Sequence, residues 1–281
     1  MLSSENQRAE LRLQPAANRS SRQTERRRRA SADERDETLE PLVRKLEAHY
    51  PLTEANRRQI LDLPYTVRRL EPQSYTIREG DRPDKCAVLI SGYAFRHKLT
   101  GEGARQILAL DIPGDALDLE NLFLTESDHN VQMLTRCSVA EIPIHALEKL
   151  ALSNSDVGRA ILVTTLIEAS ILREWALNIG RRDARSRIAH LLCEFAYRLT
   201  AYGMKPSGTY ELPMTQEQLA DATALTPVHV NRILQSLQRE GLIERKRRLI
   251  RFPSWERMSD VADFNPRYLH TRQGTAPARV T

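Results

Sequence analysis

Met214-Thr215-Gln216-Glu217-Gln218-Leu219-Ala220-Asp221-Ala222-Thr223-Ala224-Leu225-Thr226-Pro227-Val228-His229-Val230-Asn231-Arg232-Ile233-Leu234 carries the pattern on which the fold of this chain turns. Thr215 is a helix N-cap in front of a short helix carrying Leu219 and Ala220. A tight turn follows at Thr223 to Leu225. Thr226 caps a second helix, and Pro227 occupies its first turn, where a missing N–H costs nothing. The small Ala220 stands where the two helices must approach. Leu225, Val230 and Ile233 supply an apolar wedge beneath the second helix, which leaves Val228, His229, Asn231 and Arg232 facing outward near its start.

The residues just downstream give this helix pair a context. Glu240-Gly241-Leu242-Ile243-Glu244-Arg245, then Lys246-Arg247-Arg248, then Leu249-Ile250-Arg251-Phe252 read as a β-hairpin with a basic tip. A capped helix pair alone is common in proteins that never touch DNA. The two-helix spacing, the outward Asn-Arg pair and the basic hairpin together predict a winged helix-turn-helix from Met214 to Phe252. Arginine suits guanine bidentately, asparagine suits adenine, and a basic tip suits phosphate. The predicted contacts to double-stranded DNA are Thr215, Thr226, Val228, His229, Asn231, Arg232, Lys246, Arg247 and Arg248.

Upstream, a helix from Ala184 to Leu199 presents Ile188, Leu191, Leu192, Phe195 and Leu199 to a core, and Tyr202 to Gly208 reads as a loop. Before it, Asn178 to Asp183 reads as a break, with Gly180 ending one helix and Asp183 capping the next. The helix that ends there runs from about Asp156 to Ile179 and carries two apolar stripes. Val157, Ile161, Thr164, Ile167, Ile171, Trp175 and Asn178 form one; Leu162, Leu166, Ala169, Leu172, Ala176 and Ile179 form the other. A helix apolar on two faces needs two partners, here the body of its own chain and the same helix of a second copy. Burial between two parts of one chain is the alternative.

Earlier still the period changes to that of strands. Runs at 65–70, 74–77, 86–90, 93–99, 105–110, 131–136 and 139–142, several of them separated by Gly and Pro, predict a small antiparallel barrel or roll. Leu39 to Leu61 reads as helical. Residues 1–38, rich in Arg, Glu, Ser and Gln, read as a disordered basic tail. Its arginine run at 26–29 is either a solvated tail or a source of non-specific DNA affinity.

Composition narrows the functional classes. A chain of 281 residues can bury more than one core, and its net charge of +5 is a modest basic excess. Neither a spanning run of apolar residues nor a secretory signal is seen, so the expected place is the cytoplasm, away from any membrane. Cys86, Cys137 and Cys193 lack metal-ligand spacing and read as small buried hydrophobes, with no metal or cofactor expected. No Gly-x-Ser-x-Gly, His-Glu-x-x-His, phosphate-loop or Gly-x-Gly-x-x-Gly motif occurs, and Asp115, Asp118 and Glu120 suit turns and surface better than acid–base catalysis. An enzyme is not expected.

The order of roll, long helix, hinge and winged helix-turn-helix resembles the Crp/Fnr family over Leu39 to Phe252. Pro113-Gly114-Asp115, Val139-Ala140-Glu141-Ile142-Pro143, Asp183 with Arg187-Ile188-Ala189, and above all Leu219-Ala220-Asp221 through Val230-Asn231-Arg232-Ile233-Leu234 carry the resemblance. It implies an α+β fold with an N-terminal β-roll of the cyclic-nucleotide-binding, jelly-roll kind, a long dimerisation helix and a C-terminal winged helix-turn-helix. The corresponding domains are a sensor at 39–155, dimerisation helix and hinge at 156–180, the DNA-binding domain at 181–253 and an extension at 254–281. It further implies a transcription regulator acting as a homodimer on a near-palindromic operator, with RNA polymerase as a further partner and Arg232 as the guanine reader. Ala224 stands where the family usually has glycine. Pro227 and Val228 replace its outward Arg and Glu, so the operator should differ, with Val228 placed for a thymine methyl.

The sensor departs further from the family. Where its cyclic-nucleotide binders hold ribose and phosphate, this chain has Asp118, Glu120, Ser127, Asp128, Leu172 and Arg173. Asp128 would repel a phosphate. These six residues form the candidate effector pocket, for an unknown small molecule or none, with Arg173 and Asp128 expected to pair inside it. Residues 1–85 contain no cysteine for an iron–sulfur cluster, and His97 and His129 read as surface or packing residues rather than haem ligands. Two alternatives stay open: a small-molecule-sensing module with weak or vestigial DNA binding, and a cyclic-nucleotide-responsive regulator.

Overall fold

The computed structural model describes residues 37–204 and 209–271, which from Thr38 onward form one unit. All but the last two residues of the tail expected over 1–38, the centre of the loop after Tyr202 and the end of the chain beyond Thr271 lie outside the described residues. Two helices begin the unit, α1 (Glu40–His49) and α2 (Glu54–Leu61), where periodicity alone predicted one helical stretch. Tyr50 turns extended in front of Pro51, as a residue preceding proline does, and Thr53 restarts the helix by accepting the Asn56 N–H at 3.2 Å.

Seven strands follow: β1 (Thr66–Leu70), β2 (Tyr75–Ile77), β3 (Lys85–Ser91), β4 (Ala94–Leu99), β5 (Arg105–Asp111), β6 (Asn130–Met133) and β7 (Cys137–Pro143). They make the expected roll from two antiparallel sheets, ordered β1-β7-β3 and β2-β6-β4-β5. Strand β3 is apolar from Cys86 to Ile90 because both its faces are covered there. Cys86, Val88 and Ile90 pack with Leu42 and Leu46 of α1, while Ala87 and Leu89 point into the roll with Val131 and Val139. The three cysteines are buried and free, as their spacing implied.

Helix α3 (Ile144–Ser153) leads to α4 (Ser155–Arg181), about 40 Å long at helical rise. Helix α4 runs through Gly180 instead of ending there. The break comes at Arg182, because the Asp183 carboxylate captures the N–H groups of Arg185 and Ser186, each at 2.9 Å, and starts α5 (Ala184–Ala201). The first stripe of α4, from Val157 to Asn178, is buried. On the second stripe Leu162, Leu166 and Leu172 are 58%, 59% and 48% exposed.

The remainder comprises β8 (Thr209–Glu211), α6 (Gln216–Thr223), α7 (Pro227–Arg239), β9 (Glu244–Lys246), β10 (Leu249–Arg251) and α8 (Trp255–Ala262). Strand β8, too short to announce itself by periodicity, joins the hairpin as a third strand in the order β8-β10-β9. Asn265 to His270 packs against the rest of the unit. Leu269 is fully buried, and the Tyr268 hydroxyl donates to Glu194 of α5 at 2.8 Å. One apolar cluster runs from Phe95 and Ile107 in the roll through Trp175 and Phe195 to Leu219, Val230 and Leu234.

Candidate functional site

The helix pair α6–α7 is built as its sequence dictates. The Thr215 hydroxyl accepts the Gln218 N–H at 3.2 Å while the Gln218 side chain accepts the Thr215 N–H at 2.8 Å, a reciprocal capping box. Helix α6 ends at Ala224 in the left-handed region (φ 52°, ψ 47°), so alanine takes up the strain that glycine would avoid. Thr226 caps α7 through the His229 N–H at 3.3 Å. Val230, Ile233, Leu234 and Leu237 are buried beneath α7, whereas Val228, His229 and Arg232 are exposed. Arg232 has no ion-pair or hydrogen-bond partner among the described residues. Asn231 is half-buried, its amide oxygen held by Gln216 Nε2 at 3.0 Å.

Strands β9 and β10 pair Lys246 with Leu249, leaving Arg247-Arg248 as a two-residue turn with Arg247 at φ 57°. Lys246, Arg247 and Arg248 are all exposed, so the tip is a cluster of solvated cations in the hairpin that follows α7.

Two ionic contacts that periodicity could not reveal orient this unit. Arg105 of β5 bonds Asp221 of α6 at 2.7 Å, tying the first helix of the pair to the roll. Arg187 of α5 donates to Thr223 O at 2.8 Å and to Arg182 O at 3.0 Å, joining the end of α6 to the hinge. Arg187 stood out in sequence only as a family-like position; its task needed the third dimension.

A cavity of about 350 Å³ lies between β4–β5 and α4, lined by Leu108, Leu110, Ile171 and Leu172 and by a dense set of charges. Arg96 sits 3.3 Å from Asp111 and 3.3 Å from Glu168. Burial works against its charge, but those two carboxylates outweigh burial and keep the guanidinium ionised. Burial dominates for the partners and raises the carboxyls of both Asp111 and Glu168. On the inner wall Lys45 of α1 and Arg198 of α5 share Asp115, the Arg198 contact being 2.8 Å. Gly114, at φ +98°, lets this turn press on α1, since a Cβ there would lie 2.5 Å from Pro41 O.

A Crp-like helix-turn-helix domain model matches residues 186–261, and a cyclic nucleotide-binding domain model matches residues 67–154. The transcriptional activator protein FnrL of Cereibacter sphaeroides is 33% identical over 180 residues, covering 62% of this chain and 71% of the relative. The chain belongs to the Crp/Fnr family of transcription regulators. The probable transcriptional regulator flp of Lacticaseibacillus casei is similar at 30% identity, over 64% of this chain and 81% of its own length. Among solved structures, FixK2 from Bradyrhizobium japonicum superposes with a TM-score of 0.66 at 26% identity, over 71% of this chain and 98% of that one. As a Crp/Fnr regulator the chain has a β-roll of the cyclic-nucleotide-binding kind and a DNA-binding winged helix-turn-helix. Among the described residues no helix is long and apolar enough to cross a membrane.

Within this Crp/Fnr member the six residues expected to form an effector pocket do not converge. Glu120, Asp128 and Leu172 line the cavity. Asp118 and Ser127 are buried elsewhere in local bonds, Asp118 accepting the Ala87 N–H at 2.9 Å and Ser127 Oγ donating to His129 O at 3.3 Å. Arg173 points to solvent, because one residue along a helix turns about 100° away from the cavity-facing Leu172. The expected Arg173–Asp128 pair is absent: Asp128 bonds His129 Nδ1 at 2.9 Å instead, and its carboxylate is 82% exposed. Asp115 and Asp118, expected in turns and at the surface, are in turns but buried. His97 and His129 are buried packing residues rather than surface ones. The residues that sequence reasoning missed here, Lys45, Arg96, Glu168 and Arg198, come from four elements distant in the chain.

Proposed function

We propose that this Crp/Fnr regulator acts as a homodimer on a near-palindromic operator, laying α7 of each protomer in the major groove of half-sites about 34 Å apart. The observation that carries this reading is the exposed Arg232 guanidinium, without an ion-pair or hydrogen-bond partner among the described residues, on a capped helix that the basic wing follows. Arg232 reads guanine, Val228 packs on a thymine methyl, and His229 and Asn231 reach neighbouring edges. Thr215, Thr226, Lys246, Arg247 and Arg248 hold phosphates. The exposed leucines of α4 meet their copies in the second protomer, since a monomer would leave that stripe in water.

In this reading 39–155 is the sensor, 156–180 the dimerisation helix and hinge, 181–253 the DNA-binding domain and 254–281 an extension that packs back on α5. The cavity lined by Glu120, Asp128 and Leu172 is the effector site. Its five carboxylates (Asp111, Asp115, Glu120, Asp128 and Glu168) outnumber its four cations (Lys45, Arg96, Lys98 and Arg198), and this balance disfavours a cyclic nucleotide's phosphate. The protein works in the cytoplasm, binds rather than catalyses, and touches RNA polymerase from the operator, as its relatives named transcriptional activators suggest. Genome-wide binding followed by nuclease footprinting tests the core of this: two protected half-sites related by a dyad are expected. Bound fragments without dyad symmetry would overturn it.

A further inference from the structure

Among Val228, His229, Asn231 and Arg232, Asn231 is the residue with a side-chain hydrogen bond to another described residue. Gln216, the first residue of α6, donates its Nε2 to Asn231 Oδ1 at 3.0 Å, across the seam where the two helices meet. The pair is well seated. Gln216 is held at the helix start by the Thr215–Gln218 capping box, and Asn231 lies between the buried Val230 and the exposed Arg232. Both side chains are half-buried, so the bond is partly shielded from competing water.

The chemistry of a carboxamide makes this bond informative. An asparagine that reads adenine must accept from N6 with its oxygen and donate to N7 with its nitrogen, both at once. Gln216 turns the oxygen toward α6 and engages one of its lone pairs, so the Nδ2 hydrogens are the groups left unengaged to meet a base. We propose that Gln216 is a specificity-determining positioning residue. By fixing the Asn231 oxygen toward α6 it presents Asn231 to DNA as a donor, so Asn231 favours the acceptor edges of guanine (O6, N7) or thymine (O4). Bidentate reading of adenine would require the carboxamide to turn away from Gln216, and cytosine, which offers a donor, is disfavoured. The inference rests on the placement of α7 in the major groove proposed above, and it goes beyond it by assigning a base preference to a residue of the first helix.

Selection of randomised duplexes by the full-length protein, followed by sequencing, tests it. The wild type should prefer guanine or thymine at the half-site position read by Asn231. Gln216→Ala should keep overall affinity within a few-fold while shifting that single position toward adenine by about tenfold, the order of one good base contact. Gln216→Glu, which can only accept, should turn the carboxamide over and favour the amino-bearing edges of adenine and cytosine. Asn231→Ala should flatten the position and make a second change at Gln216 silent. An identical profile for wild type, Gln216→Ala and Gln216→Glu would overturn the proposal, as would a wild-type preference for adenine or cytosine there. The underlying placement fails in a different way: Arg232→Ala and Asn231→Ala would then both leave the selected sequences unchanged.

Discussion

Arg198 Nη2 lies 2.8 Å from Asp115 Oδ2, and both side chains are at most 5% exposed. The same carboxylate takes Lys45, so one buried anion joins α1, the turn after β5 and the helix that carries the DNA-binding unit. Arg198 also donates to Leu110 O at 2.8 Å, at the wall of the cavity. The cavity and α5, the helix that leads into the winged helix-turn-helix, therefore share a charged junction.

Removing that anion leaves the buried Lys45 without its carboxylate and Arg198 with Glu194 alone, at 3.7 Å. Asp115→Asn is expected to destabilise the fold by about 3–5 kcal/mol in denaturant titration. Burial pushes the Asp115 carboxyl up, but Lys45 and Arg198 outweigh it and hold it below the usual carboxylate range. A carboxylate depressed in the fold contributes stability that is present above its unfolded value near 3.9 and lost as pH falls through the folded value. The Asp115 contribution should therefore be undiminished at pH 5 and disappear only in stronger acid. A wild-type-like midpoint for Asp115→Asn at pH 7 would rule this out.

His190 predicts a pH dependence at milder acidity. Burial first, and then the Arg182 charge, lower its pKa to about 3, although Glu174 stands 3.3 Å from Nε2. The unfolded chain binds this proton below about pH 6.5 and the folded chain does not, so stability falls with pH below that value. At 1.36 kcal/mol per unit, about 2 kcal/mol should be lost through His190 between pH 7 and pH 5. His190→Phe preserves the ring contacts with Phe264 and Tyr268 and should flatten this slope. An equally steep slope in the variant would exclude His190 as its source.

Ala224 holds a left-handed conformation that costs a Cβ-bearing residue about 1–2 kcal/mol, partly offset by the chain entropy that glycine loses. Ala224→Gly should raise stability by roughly 0.5–1 kcal/mol, read as a higher denaturation midpoint with unchanged slope. A drop in stability would show that the turn does not carry this strain.

Arg232 and the wing should separate in gel shifts across a salt series. Arg232→Ala should weaken operator binding by about 1–3 kcal/mol and relax one base position. Arg247→Ala should weaken binding to all duplexes alike and lower the salt slope by about 1. Equal losses on specific and random DNA for Arg232→Ala would remove it as a base reader.

The leucine stripe of α4 predicts its own test. Leu162→Glu combined with Leu166→Glu places four charges in a dimer seam but only solvated charges on a monomer, both positions being more than half exposed. Sedimentation should show a monomer with its helical content intact. A dimer that survives both substitutions would require another interface.

The helix pair, its caps, the hinge aspartate and the alternating strands were legible in the sequence, because each rests on contacts only a few residues apart. Thr215 caps Gln218, Thr226 caps His229 and Asp183 caps Ser186, all three positions along. The inward and outward stripes of α4 and α7 likewise follow from helical period alone. The cavity was not legible. Lys45, Asp115 and Arg198 meet across 70 and 83 residues of chain, and Arg105 meets Asp221 across 116. No local pattern encodes such pairings, since folding alone decides which charges share a low-dielectric space. The same holds for the feature that opened the sequence: its outward residues were readable by position. That the Asn231 oxygen is bound by Gln216 was decided only when two helices packed.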